Sequence, residues 1–153
     1  MMKKLLLVVL SAVWGFVCYG QKGNAEPLVV DDIQIDVKEV KLSATGDTAI
    51  VDLFLISYKR GGREFKLNTF ASGIIDSQGK PYLYSSVQMG RVKITLSDRK
   101  NYMHYFMEED VPVSLQIKTA SWKKQWGKPQ QVKLTFEDST EEGKFLEVTV
   151  DLL

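Results

Sequence analysis

The sequence predicts an all-β protein: a single antiparallel β-sandwich of about eight strands that follows a signal peptide. Two observations predict this fold. Apolar residues alternate with polar ones in short segments, as they do in strands with one buried face. Turn-forming residues separate these segments roughly every ten residues, which is typical of sandwiches and barrels. The chain has 153 residues, the size of one domain.

The N-terminus is typical of a signal peptide. Two lysines follow Met1-Met2, and residues 5–17 carry no charge. This segment is shorter than the roughly 20 residues of a membrane-spanning helix, but it fits a signal peptide. Small residues at Cys18 and Gly20 predict cleavage after Gly20. Residues 1–20 are therefore the predicted signal peptide, and we expect the protein in the periplasm, at the cell surface or secreted.

Cys18 is the only cysteine of the chain. A cysteine at the end of the apolar segment is also where a bacterial lipoprotein carries its lipid. Lipoprotein signals have small residues just before that cysteine, whereas Phe16 and Val17 are large. The sequence thus favours loss of Cys18 with the signal peptide, with a lipid anchor as the alternative. A mature chain without cysteine suits a bacterial envelope protein better than a disulfide scaffold.

The charge balance argues against nucleic acid and anionic membranes as partners. The chain has a net charge of +1, and without Lys3 and Lys4 it has 18 basic and 19 acidic side chains. Binding to a polyanion needs a basic field, which this composition lacks. Any contact with a membrane is expected only through the signal peptide or a lipid on Cys18.

For the mature chain, the sequence predicts a flexible leader over residues 21–30 and a β-sandwich domain over residues 31–153. Residues 33–42 alternate, but the apolar positions shift between Val37 and Val40, which predicts a β-bulge. Residues 49–56 are apolar on both faces and predict a central strand. Asp76 to Lys80 has hairpin turn chemistry. Further strands are predicted at 64–67, 70–75, 81–87, 91–96, 102–107, 113–117, 132–136 and 145–152, and one helical turn at 120–126.

Two segments of the sequence can be compared with known domains: the strand Val51-Asp52-Leu53-Phe54-Leu55 and the later hairpin Ile75-Asp76-Ser77-Gln78-Gly79-Lys80-Pro81-Tyr82. Together they resemble an immunoglobulin-like domain of exported bacterial proteins. The resemblance covers residues 31–150 and implies an immunoglobulin-like sandwich. The Cys…Trp…Cys core of antibody domains is absent. Because these families are largely uncharacterised, the resemblance implies no functional residue.

No motif predicts catalysis, a metal or a cofactor. His104 is the only histidine, so a zinc site lacks ligands, and a Ser-His-Asp triad would have to use His104, a residue of a predicted strand, as its base. The carboxylates of residues 108–110 and 137–142 are the remaining route to a hydrolase, but they lie in predicted turns. Calcium at Asp31, Asp32 and Asp36, or at the Asp76 turn, is a further hypothesis without the spacing of an EF-hand.

Trp122 and Trp126 are the candidate ligand-binding residues, together with Lys123, Lys124 and Gln125. Residues four apart on a helical turn share a face, so both rings would form a platform on which sugar rings stack. The alternative, which the sequence favours, is that at least one tryptophan closes the end of the core.

We therefore predict an exported, non-enzymatic binding or interaction module of the bacterial cell envelope, with a protein or a glycan as partner. A carbohydrate-binding domain that uses Trp122 and Trp126 is the second hypothesis. Less favoured by the sequence are a carboxylate-based hydrolase and assembly through an exposed edge strand.

Overall fold

The computed structural model describes residues 26–152, so the predicted signal peptide and Cys18 lie outside the described residues. Twelve strands and two 3-10 turns, Leu96–Asp98 and Lys124–Trp126, make up its regular structure. The strands are β1 (Leu28–Val30), β2 (Ile33–Leu42), β3 (Thr48–Ser57), β4 (Arg63–Asn68), β5 (Gly73–Ile75), β6 (Pro81–Tyr82), β7 (Ser86–Met89), β8 (Val92–Thr95), β9 (Tyr102–Met107), β10 (Val113–Ala120), β11 (Gln131–Glu137) and β12 (Phe145–Asp151). The predicted all-β class is confirmed.

The strands form two antiparallel sheets that enclose one core. The first sheet has the order β1-β2-β3-β10-β7-β8, and the second has the order β6-β5-β11-β4-β9, with β12 on the other side of β11. Alternate side chains of both sheets point into a shared apolar cluster, which is the arrangement of a β-sandwich. Its largest fully buried members include Leu53, Leu115, Phe65, Phe136 and Tyr84.

β1 and β2 form a tight hairpin, and β1 lies in the segment 21–30 that the sequence assigned to a flexible leader. Val30 pairs with Ile33 across a two-residue turn. Both turn residues, Asp31 and Asp32, have positive φ angles of 51° and 60°, which suits the turn that joins twisted antiparallel strands. The leader assignment is therefore wrong for residues 28–30, because pairing with β2 orders them.

The observed structure of β2 and β3 agrees closely with the prediction from the sequence. The pairing register of β2 shifts between Val37 and Glu39, which confirms the predicted β-bulge. β3 lies between β2 and β10, as its apolar character on both faces predicted. Of the residues described, none pairs with the outer edge of β2 beyond Ile35, so residues 36–42 form a free edge.

The chain between residues 69 and 89 differs most from the sequence-based assignment. The predicted strand 70–75 shrinks to β5, because residues 69–72 form a bend in which Asn68 accepts hydrogen bonds from Ala71 and Ser72. The predicted strand 81–87 divides into β6 of the second sheet and β7 of the first. Gly73 lets β6 approach, since a Cβ at this position would collide with the Tyr82 carbonyl oxygen. This division and the additional strand β1 both raise the number of strands to twelve, above the predicted number of about eight.

The described residues include no helix that is both long and apolar enough to cross a membrane.

Candidate functional site

Trp122 belongs to the core and does not form part of an exposed platform. It follows β10, and only 3% of its surface is exposed. Its indole N–H donates to the Gly127 carbonyl oxygen at 2.8 Å, and its backbone N–H donates to the Asp47 carbonyl oxygen at 2.7 Å. A buried indole needs such a partner for its polar edge. Trp122 therefore closes one end of the sandwich, the alternative that the sequence left open.

Trp126 is half-buried, and its ring packs against the ring of Tyr82. Its ring centroid lies 4.1 Å from that of Tyr82, and its plane is 87° from that of Trp122 at 5.3 Å. The expectation that Trp122 and Trp126 share one face is wrong, because the helical turn is a three-residue 3-10 turn and the rings meet at a right angle. Lys123, Lys124 and Gln125 are exposed beside them, and Lys123 Nζ lies 5.6 Å from the Trp126 centroid.

The Asp76 turn is a structural element and not an open set of oxygen ligands. The Asp76 carboxylate accepts hydrogen bonds from the backbone N–H groups of Gln78 and Lys80 and from the Tyr82 hydroxyl. Burial acts to raise its pKa, but these hydrogen bonds outweigh burial and hold the pKa below its usual range. Burial and the Asp76 carboxylate raise the pKa of Tyr82 to about 12. The Asp76 oxygens thus already have donors where calcium would have to bind.

Asp31 is likewise committed to the protein's own groups. Its carboxylate accepts from Arg63 Nη1 at 2.7 Å, and from the N–H and hydroxyl of Ser139, each at 2.8 Å. Burial acts to raise the pKa of Asp31, but the hydrogen bonds from Arg63 and Ser139 outweigh it and lower the pKa. Among residues 26–152, no group of three or more His, Cys, Asp or Glu side chains is placed to hold a metal ion.

The acidic residues considered for hydrolysis fall into two groups: residues 108–110 lie on an exposed turn, whereas Glu137, Asp138 and Glu142 line one surface pocket together with Lys59 and Arg63. Glu108, Glu109 and Asp110 are all exposed, and Glu109 accepts a hydrogen bond from the Gly61 backbone N–H at 2.8 Å. His104 lies on β9 with its Nδ1 3.4 Å from Glu64 Oε1, and about half of each side chain is exposed (55% and 58%). These are solvated pairs at the surface, and they do not form a nucleophile with its base.

The outer face of the second sheet carries an aromatic pair that sequence reasoning missed. Tyr102 at the start of β9 and Phe145 at the start of β12 have centroids 5.6 Å apart and planes only 17° apart. Tyr102 is 38% exposed and Phe145 is half-buried. Neither ring belongs to the buried core, whose side chains point to the other face of these strands. We call these two residues the Tyr102–Phe145 platform.

An ion pair lies against this platform. Lys66 Nζ is 4.7 Å from the Tyr102 centroid and 5.6 Å from the Phe145 centroid, a cation–π arrangement. Lys66 also pairs with Glu137 Oε1 at 3.1 Å. The hydrogen bond from the Gly143 backbone N–H is the largest cause that lowers the pKa of Glu137, and the hydrogen bond from Lys66 is the second. This carboxylate is therefore ionised at neutral pH. The two charges neutralise each other beside the rings.

Alternation along the strands is the one signal that could have indicated this pair. Tyr102 shares a strand face with His104, and Phe145 shares one with Glu147, so both rings fall on polar faces of their strands. The sequence did not indicate that the two strand starts meet, because β9 and β12 are separated by β4 and β11 in the sheet.

No family model matches the chain, and comparisons with curated proteins and with solved structures gave no significant match. The immunoglobulin-like resemblance therefore stays a prediction beyond the all-β sandwich itself.

Proposed function

We propose that the protein is an exported, non-enzymatic binding module of the bacterial cell envelope, with the outer face of the second sheet as its binding surface. The Tyr102–Phe145 platform is the observation that supports this most. Aromatic side chains dominate binding energetics because they bring a large rigid area with few rotatable bonds. Exposed apolar residues that occur singly are ordinary, whereas apolar residues that are grouped at the surface mark interaction sites.

The arrangement of polar side chains favours binding over catalysis. A hydrolase of the two-carboxylate type needs an acid and a base or nucleophile on opposite sides of a scissile bond. Glu108 and Glu109 are neighbours on an exposed turn, and Glu109 is engaged with Gly61. The ionised Glu137 is paired with Lys66. These carboxylates stabilise loops and strands of the protein itself.

Export is tested by locating the protein and sequencing its N-terminus. Expressed in a bacterium as the full chain, it should appear in the periplasmic, surface or medium fraction and begin at Gln21. A chain that keeps residues 1–20 in the cytoplasm would contradict export. Incorporation of labelled fatty acid that is lost in Cys18→Ser would establish the lipid anchor instead of cleavage after Gly20.

Binding is tested by retention of the purified protein on immobilised polysaccharide and protein fractions of the envelope. The variant Tyr102→Ala/Phe145→Ala should lose retention on at least one fraction. Tyr58→Ala/Phe70→Ala is the matched control, since Tyr58 and Phe70 are 45% and 41% exposed but lie outside the platform. Equal retention of both double variants would contradict the proposed surface. Hydrolysis of a fraction, lost in Glu108→Gln/Glu109→Gln, would contradict the non-enzymatic assignment.

A further inference from the structure

We infer that the Tyr102–Phe145 platform binds an uncharged glycan by stacking a sugar ring on the aromatic faces. This inference rests on the proposed function and names its ligand class. It places the glycan site on the outer face of the second sheet, away from Trp122 and Trp126.

The geometry of the pair gives a flat, one-sided surface. Lys66 Nζ lies over both rings, whose centroids are too close together to admit the ammonium between them. Lys66 therefore contacts the same side of each ring. Tyr102 is 38% exposed, more than the side chains of Lys66 and Glu137 at 24% and 18%, so its ring is the most accessible part of this cluster. A sugar ring would stack on the face of Tyr102 that is turned away from Lys66 and extend over the half-buried Phe145.

A pyranose matches such a surface. One face of the sugar ring consists of C–H groups, and the face of an aromatic ring carries the negative end of its quadrupole. The two centroids are 5.6 Å apart, which is comparable to the separation of adjoining sugar rings in an extended glycan. A leucine-lined patch would bind apolar side chains equally well, but it offers sugars no flat π face.

The surrounding charges favour an uncharged glycan over an acidic one. Lys66 is neutralised by Glu137 at 3.1 Å, and Lys144, which directly precedes Phe145 in the chain, lies 3.0 Å from Glu141. Both lysines are thus already paired with carboxylates of the protein, and His104 adds a charge only when it is protonated. The local field gives polyanions no attraction.

Polar side chains beside the rings supply hydrogen bonds to hydroxyl groups. His104 and Glu64 are 55% and 58% exposed at the neighbouring position of the sheet. One offers a ring nitrogen and the other a carboxylate, and together they can donate to and accept from adjacent hydroxyls. A few polar groups around an apolar contact area are what fixes a ligand's orientation.

The test is affinity electrophoresis of the purified protein through native gels that contain one soluble polysaccharide each. The neutral probes are a mixed-linkage β-glucan, a xyloglucan, a galactomannan and an α-mannan, and the acidic probes are alginate and polygalacturonate. We expect retardation by at least one neutral probe and no stronger retardation by an acidic one. The apparent affinity should change little with added salt, since no ion pair with the ligand is involved.

Variants that separate a flat ring from mere apolar bulk make the test specific. Tyr102→Leu and Phe145→Leu keep apolar volume but remove the ring, and each should weaken binding about tenfold or more. Tyr102→Phe should keep most of the affinity. Trp126→Leu, at the site that the sequence indicated, should leave it unchanged. Thermal melts of all variants establish that each is folded.

The outcomes separate this inference from the proposed function. Binding of a neutral probe that the Leu variants retain, or that only Trp126→Leu loses, overturns the inference. The inference is also overturned if no neutral probe binds and the platform variants lose binding to a protein fraction. In that case the proposed binding module stands, with a protein as its ligand. Absence of binding to every probe and every envelope fraction overturns both.

Discussion

The Asp31–Arg63 ion pair joins the first hairpin to the second sheet, and its removal should destabilise the domain. Arg63 donates to Asp31 Oδ2 at 2.7 Å and to the Glu137 carbonyl oxygen at 3.0 Å, and the two charged side chains are 2% and 11% exposed. Asp31→Asn removes the charge but keeps a residue that tolerates the positive φ of 51°. The variant leaves a guanidinium buried without its counterion.

The expected loss is about 3–5 kcal/mol, the range for removal of one partner from a buried pair. Asp31→Asn also removes part of the acceptor for the hydrogen bonds that the N–H and hydroxyl of Ser139 donate. The expected loss of unfolding free energy therefore lies in this range and not below it. Urea unfolding followed by tryptophan fluorescence measures the free energy, and an unchanged m-value shows that only stability has changed. The double variant Asp31→Asn/Arg63→Met should lose less than the sum of the single losses, because no unpaired charge is left.

The same pair gives a pH dependence with a defined sign. Burial raises the pKa of Asp31, but hydrogen bonds from Arg63 and Ser139 outweigh it, so the folded-state pKa lies below the unfolded one. Stability from this carboxylate is therefore present above about pH 4 and is lost as the pH falls through the folded pKa. The difference between wild type and Asp31→Asn should shrink in that window. A single-variant loss under about 1 kcal/mol, or strictly additive losses, would refute the reasoning.

Three other substitutions test the account of the fold. Gly73→Ala should cost about 1–3 kcal/mol in urea unfolding, since its Cβ would collide with the Tyr82 carbonyl oxygen; unchanged stability would show that β6 moves freely. Trp122→Ala should cost about 3–5 kcal/mol as a buried aromatic, and a loss under about 1 kcal/mol would place this ring outside the core. Lys38→Val/Lys41→Val removes charges from the free edge of β2, and sedimentation should show stronger concentration-dependent association than in wild type; a variant that associates no more than wild type would refute this.

Local sequence signals predicted the parts of the fold that depend on local chemistry. The bulge in β2 was visible because the apolar positions shift parity between Val37 and Val40. The hairpin at Asp76 was visible because the aspartate and Gly79 have turn chemistry, and the aspartate oxygens do accept from the turn N–H groups. The central place of β3 was visible because both of its faces are apolar.

Other features depend on contacts between distant segments. The three residues of β1 have no pattern of their own and are ordered by pairing with β2. Trp122 is buried in the core, whereas Trp126 is half-buried against it, and both rings are placed by contacts with the distant Tyr82. The Tyr102–Phe145 platform depends on the positions of β9 and β12 in the second sheet. The local sequence of a strand does not indicate its place in the strand order.

The outer face of the second sheet is the proposed binding surface, and a two-dimensional NMR titration of the isotope-labelled protein with the envelope polysaccharide fraction locates the bound ligand residue by residue. The largest shifts should fall on Tyr102, Phe145 and their neighbours Lys66 and His104, while the indole N–H signals of Trp122 and Trp126 should not move. Shifts confined to the tryptophan segment or to the free edge of β2 would show that the ligand binds elsewhere.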